Sequence, residues 1–431
     1  FAVLDGAGGM LADNGGPVQT IALKDDVSNP ALDAGDDAAA PDIDASGAGR
    51  DDYRDVANND TNISDLGALE LQQAEIASLI VTTSDDVVDA FDDVTSLREA
   101  IAYADSLAGA DTITFDLAVG DRTITLGGTE LVLSSDVTID GDIDGDDVAD
   151  ITISGSGLSR VLNVSSGTAD LDALTITGGY ASSGGGVLIA NGATVYLSNS
   201  TLSGNDARYG GGIYNRGTAT LTNSTLSLNS ADYGGGIFNF SGGTATLTNS
   251  TLSGNDARFG GGIYSFGTAT LTNSTLSGNT AEFGGGISNS GTATLTNSIV
   301  LGNTAVNDAE VSGTVTATNS ITGANNETAE LVFAVLDGAG GLLDDNGGPV
   351  QTIALKDDVS NPALDAGDDG LAPETDASGA GRDDYRAVAN NGTDISDLGA
   401  LELQQAEVAS LIVTTSDDVV DAFDDVTSLR E

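Results

Sequence analysis

The chain contains no cysteine, no histidine and no tryptophan, and its 13 Lys plus Arg face 66 Asp plus Glu, a formal net charge of −53 over 431 residues. Each shortage excludes something. Without Cys or His no disulfide can form, and zinc, thiolate, haem and Ser-His-Asp chemistries lose their usual ligands and bases. Any bound metal is then a hard cation held by oxygen. The scarcity of positive charge argues against nucleic acid as a partner, since the surface repels a phosphate backbone. Direct membrane insertion is not expected either, because no run of about 18 apolar residues exists. Aromatics make up only 4%, yet 39% of residues are hydrophobic, so a core is available and is built from small aliphatic side chains.

What the sequence has in abundance is repetition. Residues 1–99 return as residues 333–431 with ten substitutions in 99 positions, a period of 332 residues. Because Glu99 and Glu431 occupy the same relative point, the chain reads as one and a third units of a longer tandem array. A second period lies inside the unit. Gly-Gly-Gly starts at Gly184, Gly210, Gly234, Gly260 and Gly284, at spacings of 26, 24, 26 and 24. Each triplet leads into Val187, Ile213, Ile237, Ile263 or Ile287, then a turn, then a segment such as Thr-Ala-Thr-Leu-Thr-Asn. The expectation is three short strands per rung of 24 to 26 residues, too short to pair with their own neighbours. Pairing with the next copy, about 4.8 Å away, gives an all-β parallel β-helix.

Columns of like residues set the register. Ala219/Leu221, Ala245/Leu247, Ala269/Leu271 and Ala293/Leu295 alternate inward, with Leu226, Leu252, Leu276 and Ile299 on another wall. Asn223, Asn249, Asn273 and Asn297 align at one turn, and Asn205, Asn229, Asn255, Asn279 and Asn303 at another. Stacked amides that bond to each other and to turn backbone explain both. The Asn-Ser-Thr sequons at Asn199, Asn223, Asn249 and Asn273 need no sugar on this account. Tyr209, Tyr233, Phe259 and Phe283 form an aromatic column. Beside it Arg208, Asp232, Arg258 and Glu282 alternate in sign, a ladder of exposed charges that specifies register rather than catalysis.

The unit divides accordingly: 1–72 closes the preceding unit, 73–95 is a joint, 96–108 a capping helix, 109–332 the β-helix, 333–404 the closing region, and 405–431 the next joint. Ser96 and Glu99 form a capping box ahead of a helix with Leu97, Ile101 and Ala104 on one face, suited to cover the open end of the coil. Ser-Leu-Arg-Glu-Ala-Ile-Ala-Tyr-Ala, then ADTITF, VTIDGDIDGDDVADITISG, GGGIYN and TLTNSTLSGN, resemble the pectate-lyase-like, right-handed parallel β-helix repeat proteins of bacterial surfaces. LADNGGPVQTIAL, SNPALDAGD, Arg50 and SDLGALEL are similar to the choice-of-anchor Q region that follows such helices. The resemblance implies an exported, adhesin-like bacterial protein and a right-handed coil. A complete helix start follows the Q-like region here, which favours a joint between units over a terminal anchor.

One turn carries candidate chemistry. Asp140, Asp142, Asp144, Gly145, Asp146, Asp147 and Asp150 match the first half of a calcium loop, where carboxylates converge on a hard ion, although Ile151 replaces its bidentate Glu. A structural Ca²⁺ would relieve their mutual repulsion; a solvated acidic turn is the alternative. Two other acidic clusters, Asp85/Asp86/Asp89/Asp92/Asp93 and Asp60/Asn62/Asp65 with the equivalents Gly392/Asp394/Asp397, are expected to be solvated surface.

The functional expectation is a stiff, secreted, cell-surface rod for adhesion, filament or matrix, partnered by neighbouring copies of itself and by glycan. A second possibility is lattice binding, to ice or a crystalline glycan, through the outward Thr218, Thr220, Thr222, Thr244, Thr246, Thr248, Thr268, Thr270 and Thr272. Polysaccharide cleavage is disfavoured, because asymmetric chemistry does not suit a surface that repeats itself.

Overall fold

The computed structural model describes residues 76–89, 92, 94–382 and 396–403, with scattered positions between Leu4 and Ala31. Two compact units are present, Phe1–Ala77 with Val88–Val94, and Ser78–Val87 with Thr95–Glu431. Most of the expected region 1–72 and the joint 405–431 lie outside the described residues, as does Asp93. In the first unit the antiparallel pairs Leu4–Asp5 with Gly8–Gly9 and Leu11–Ala12 with Thr20–Ile21 are described. The same pairs recur 332 residues later, Leu336–Asp337 with Gly340–Gly341 and Leu343–Asp344 with Thr352–Ile353.

The second unit winds into a right-handed parallel β-helix. A representative rung runs Thr201–Ser203, Asp206–Tyr209, Ile213–Asn215 and Thr218–Thr222. These belong to four parallel sheets, called A to D in that order, of eight, six, eight and ten strands. Regular rungs therefore carry four strands, where three were expected. The extra strand, sheet B, escapes notice because its inward position holds only alanine (Ala207, Ala257, Ala281), so it lacks the alternation of large apolar residues that marks a strand. Register is continuous. Ala219, Ala245, Ala269 and Ala293 are neighbours in sheet D, as are Leu221, Leu247, Leu271 and Leu295, and all are buried.

Two local features fix the rung. The first glycine of each triplet lies at φ of 60 to 67°. The next two let adjacent backbones pass: a Cβ on Gly211 would sit 2.5 Å from the Ser230 carbonyl oxygen. The alternation of 26 and 24 is absorbed in the turn between sheets C and D, where Asn191-Gly192 and Ser241-Gly242 are extra pairs in alternate rungs.

At the N-terminal end, α1 (Leu97–Ser106) opens with both halves of the capping box and buries Leu97, Ala100, Ile101 and Ala104 against the core. A short α2 (Ala329–Val332) begins the region after the last rung. Residues 329–382 and 396–403 then run back along the outer face of sheet A. Their Phe333, Ile353, Leu355, Leu364 and Leu398 share a core with Ile299, Leu301 and Ile321 of the rod. No helix among the described residues is long and apolar enough to cross a membrane.

Candidate functional sites

The acidic turn grows from the end of a sheet D strand, Asp136–Asp140. Gly145 and Asp147, at φ of 83° and 62°, reverse the chain. This brings carboxylate oxygens of Asp142, Asp144 and Asp146 within 4.8 Å of one another. Asp142 also accepts backbone N–H bonds from Gly145 (2.7 Å), Asp146 (3.2 Å) and Asp147 (3.0 Å). Asp140 and Asp150 have partners of their own. Asp140 accepts from Asp142 N, while Asp150 pairs with Arg122 and accepts from Ile143 N. Asp146, chiefly, holds the Asp144 carboxyl above its ordinary value, as expected of like charges brought together. An all-oxygen donor set of this kind suits a hard divalent ion.

The amide columns differ in kind. Asn205, Asn229, Asn255 and Asn279 each donate backbone N–H and Nδ2–H to Oδ1 of the next Asn, at 2.8 to 3.1 Å. The second Nδ2–H goes to a carbonyl of the preceding rung, such as Leu226 O from Asn255. Asn303 ends the series on Glu310, whose carboxylate accepts from Gly302 N, Asn303 N and Asn303 Nδ2. Burial pushes the Glu310 carboxyl upward.

Asn223, Asn249, Asn273 and Asn297 instead lie at φ of 44 to 49°, a left-handed position that Asn tolerates. Their mutual contacts are long, 3.3 Å from Asn249 Nδ2 to Asn223 Oδ1. The stronger bonds of Asn249, Asn273 and Asn297 reach outward, to residues between 368 and 382. Asn249 Nδ2 donates to Thr375 O (2.8 Å), Asp368 N donates to Asn297 Oδ1 (2.9 Å), and Arg382 Nη2 donates to Asn249 Oδ1 (3.1 Å). With its amide oxygen turned toward Arg382, Asn273 accepts at 3.0 Å. Asn249 and Asn273 are buried, so neither sequon is open to a sugar.

Tyr209, Tyr233, Phe259 and Phe283 stack with centroids 5.3, 5.3 and 5.1 Å apart. A second stack, Tyr214, Phe238 and Tyr264, runs beside it. The charges next to them form two pairs, not an unbroken ladder: Arg208 with Asp232 (3.6 Å) and Arg258 with Glu282 (2.8 Å). The guanidinium groups of Arg208 and Arg258 also lie over Tyr209 and Phe259, which fixes their direction. Arg208, Asp232, Arg258 and Glu282, with Asp206 and Asp256, line a groove of about 1000 Å³ along sheet B. Among the described arginines, six are ion-paired and Arg216 lies over Phe240.

The threonines form three columns in sheet D, Thr218/Thr244/Thr268, Thr220/Thr246/Thr270 and Thr222/Thr248/Thr272, continued by Thr292, Thr294 and Thr296. Tyr196 and Asp170 interrupt the middle column on the two preceding rungs. All three columns run through four rungs, and the second and third continue to a fifth, where Thr316 and Thr318 pair with Thr294 and Thr296, a depth of about 19 Å.

Both acidic clusters expected at the solvated surface contain a buried member. Asp86 is 6% exposed and bonds Arg98 at 2.9 and 3.0 Å, because α1 brings Arg98 over it. Asp397 is fully buried in a cluster with Asp376, Glu402 and Arg382. Arg382 Nη1 donates to Glu402 Oε2 (2.7 Å), Asp397 N donates to Glu402 (3.0 Å), and Glu402 N donates to Asp376 Oδ2 (2.8 Å). This cluster was legible only as identity between copies: Asp44, Arg50, Asp65 and Glu70 match its four members, while Asp60 and Asn62 do not persist.

A family model described as "Right handed beta helix region" matches residues 150–328. No curated protein matches the chain in sequence. Among solved structures, the crystal structure of pectate lyase Pel9A aligns at 13% identity and a TM-score of 0.31, over 76% of this chain and 97% of that one.

Proposed function

We propose that the chain is a structural repeat of a giant secreted bacterial surface or fibre protein, in which tandem acidic β-helical rods serve adhesion, extracellular filament or matrix assembly. The observation that carries this reading is sameness. Register-matched columns of amide, aromatic and hydroxyl side chains run from rung to rung, and cross-rung hydrogen bonds make the rod stiff along its axis. With a formal charge of −53, like rods repel until divalent ions screen or bridge them. Ca²⁺ held by Asp142, Asp144 and Asp146 is part of the proposal, ordering a turn that its own charges strain. Neighbouring copies and surface glycan are the partners proposed. No catalytic step is assigned, since the described arginines, which a lyase could use as base, are engaged in pairs or over rings.

Lattice binding is the second reading, favoured by the in-register threonine columns and limited by their depth among the described residues, four rungs for all three columns together and five for the second and third. Electron microscopy of the full-length protein from its producer, with calcium and then EDTA, tests the first. Continuous rods with an axial repeat near one unit, fraying in EDTA, are expected. Separate particles indifferent to EDTA, with cleavage of an acidic polysaccharide in the same preparation, would refute it. Retention on an ordered glycan surface lost in Thr246→Tyr would favour the second reading.

A further inference from the structure

Residues 329–403 are held on sheet A by contacts that converge on one buried cluster. Arg382 joins Glu402 on one side to Asn249 and Asn273 of the rod on the other. The carboxylates are surrounded by donors. Asp376 accepts from Ser378 N, Ser378 Oγ, Ala380 N and Glu402 N, and Asp397 accepts from Asp365 N (2.8 Å) and Leu403 N (2.9 Å). Among the described residues of this region, Asp365 and Asp369 are the other charged groups near the cluster; Asp369 accepts from Ser396 beside Asp397. From the rod side, neutral Asn249, Asn273 and Thr275 face it, Thr275 Oγ1 accepting from Ala400 N. Fully ionised, Asp376, Asp397 and Glu402 would put three negative charges in one buried cluster that holds a single guanidinium. A proton on the cluster cuts the excess from two charges to one, and burial makes that relief large.

We propose that this cluster is a proton-operated clasp, which fastens residues 329–403 to the rod while it carries a proton and loosens them when the proton leaves. Burial, with Asp397 beside it, pushes the Glu402 carboxyl up to about 9, and burial pushes Asp397 up to about 7. Both values lie above those of an unfolded carboxylate. The stabilisation is therefore complete below the ordinary carboxylate range and is lost as pH rises through 7 to 9. Docking of this region becomes weaker in alkali, while the rungs, whose ladders rest mainly on neutral amides, are indifferent.

Hydrogen exchange of the intact chain, corrected for base catalysis of exchange itself, tests this at pH 6, 7, 8 and 9. Protection in 333–382 and 396–403 should fall roughly tenfold between pH 7 and pH 9, with 205–300 unchanged. Glu402→Gln and Asp397→Asn, which remove one titrating group each, should flatten that fall. A flat wild-type profile overturns the proposal, as does a fall that both variants leave intact. If both variants have already lost protection at pH 6, the wild-type profile decides alone: falling supports the clasp and flat refutes it.

Discussion

Asn255→Ala probes the buried amide ladder at its centre. Its side chain makes four hydrogen bonds, from Nδ2 to Leu226 O (2.9 Å) and Asn279 Oδ1 (2.9 Å), and to Oδ1 from Asn229 N (3.1 Å) and Asn229 Nδ2 (3.0 Å). Truncation strands the two Asn229 donors, both in a fully buried position. Each orphaned buried group costs about 1–3 kcal/mol, so the loss should be about 2–6 kcal/mol. Asn279 keeps the backbone donor of residue 255, and the damage should stop there. Because each rung contacts only its neighbours, the effect should be local. Urea denaturation of the whole protein gives the magnitude, and hydrogen exchange gives its extent, with protection falling in rungs 226–283 and holding at 110–140. A loss under about 1 kcal/mol, or one spread evenly along the rod, would show that the ladder is not what joins the rungs.

Three further substitutions separate backbone clash from capping. Gly211→Ala puts a methyl 2.5 Å from Ser230 O and 2.7 Å from Gly235 O, and should lower stability by about 2–3 kcal/mol. Gly120→Ala, with nothing within 4 Å, should be near neutral, and equal melting curves for the two would remove the reason given for the triplets. Ser96→Ala removes an N-cap that accepts from Glu99 N (3.2 Å) and donates to Val87 O (2.6 Å), with an expected cost of about 1–2 kcal/mol and faster exchange confined to 97–106.

The rod was legible because its period is written in residues that have one use. Gly triplets, inward Ala-Leu pairs and recurrent Asn fix rung, face and register together, and the structure places them accordingly. Sheet B was not legible because a strand whose inward residue is alanine gives no apolar alternation. The docking role of Asn249, Asn273 and Asn297 was hidden for another reason: their partners Thr375, Asp368 and Arg382 lie 71 to 133 residues away. A periodic column explains itself, so nothing in it advertises a second contact. Asp86 and Asp397 looked solvated for the complementary reason. An acidic cluster in a very acidic chain gives no sign that one member has found an arginine.

Glu310 gives the ladder a direction as well as an end. In each rung the backbone N–H and one Nδ2–H of the ladder Asn point to the next Asn, and the carboxylate meets the last of them. Interior rungs carry no mark of their place in the series. Only the two termini, α1 and Glu310, say where the rod stops. A gene can therefore gain or lose two rungs together by slippage between matching codons and keep both the alternation of 26 and 24 and the pairing of opposite charges. Length becomes a trait that drifts in fixed steps, and selection can act on reach alone.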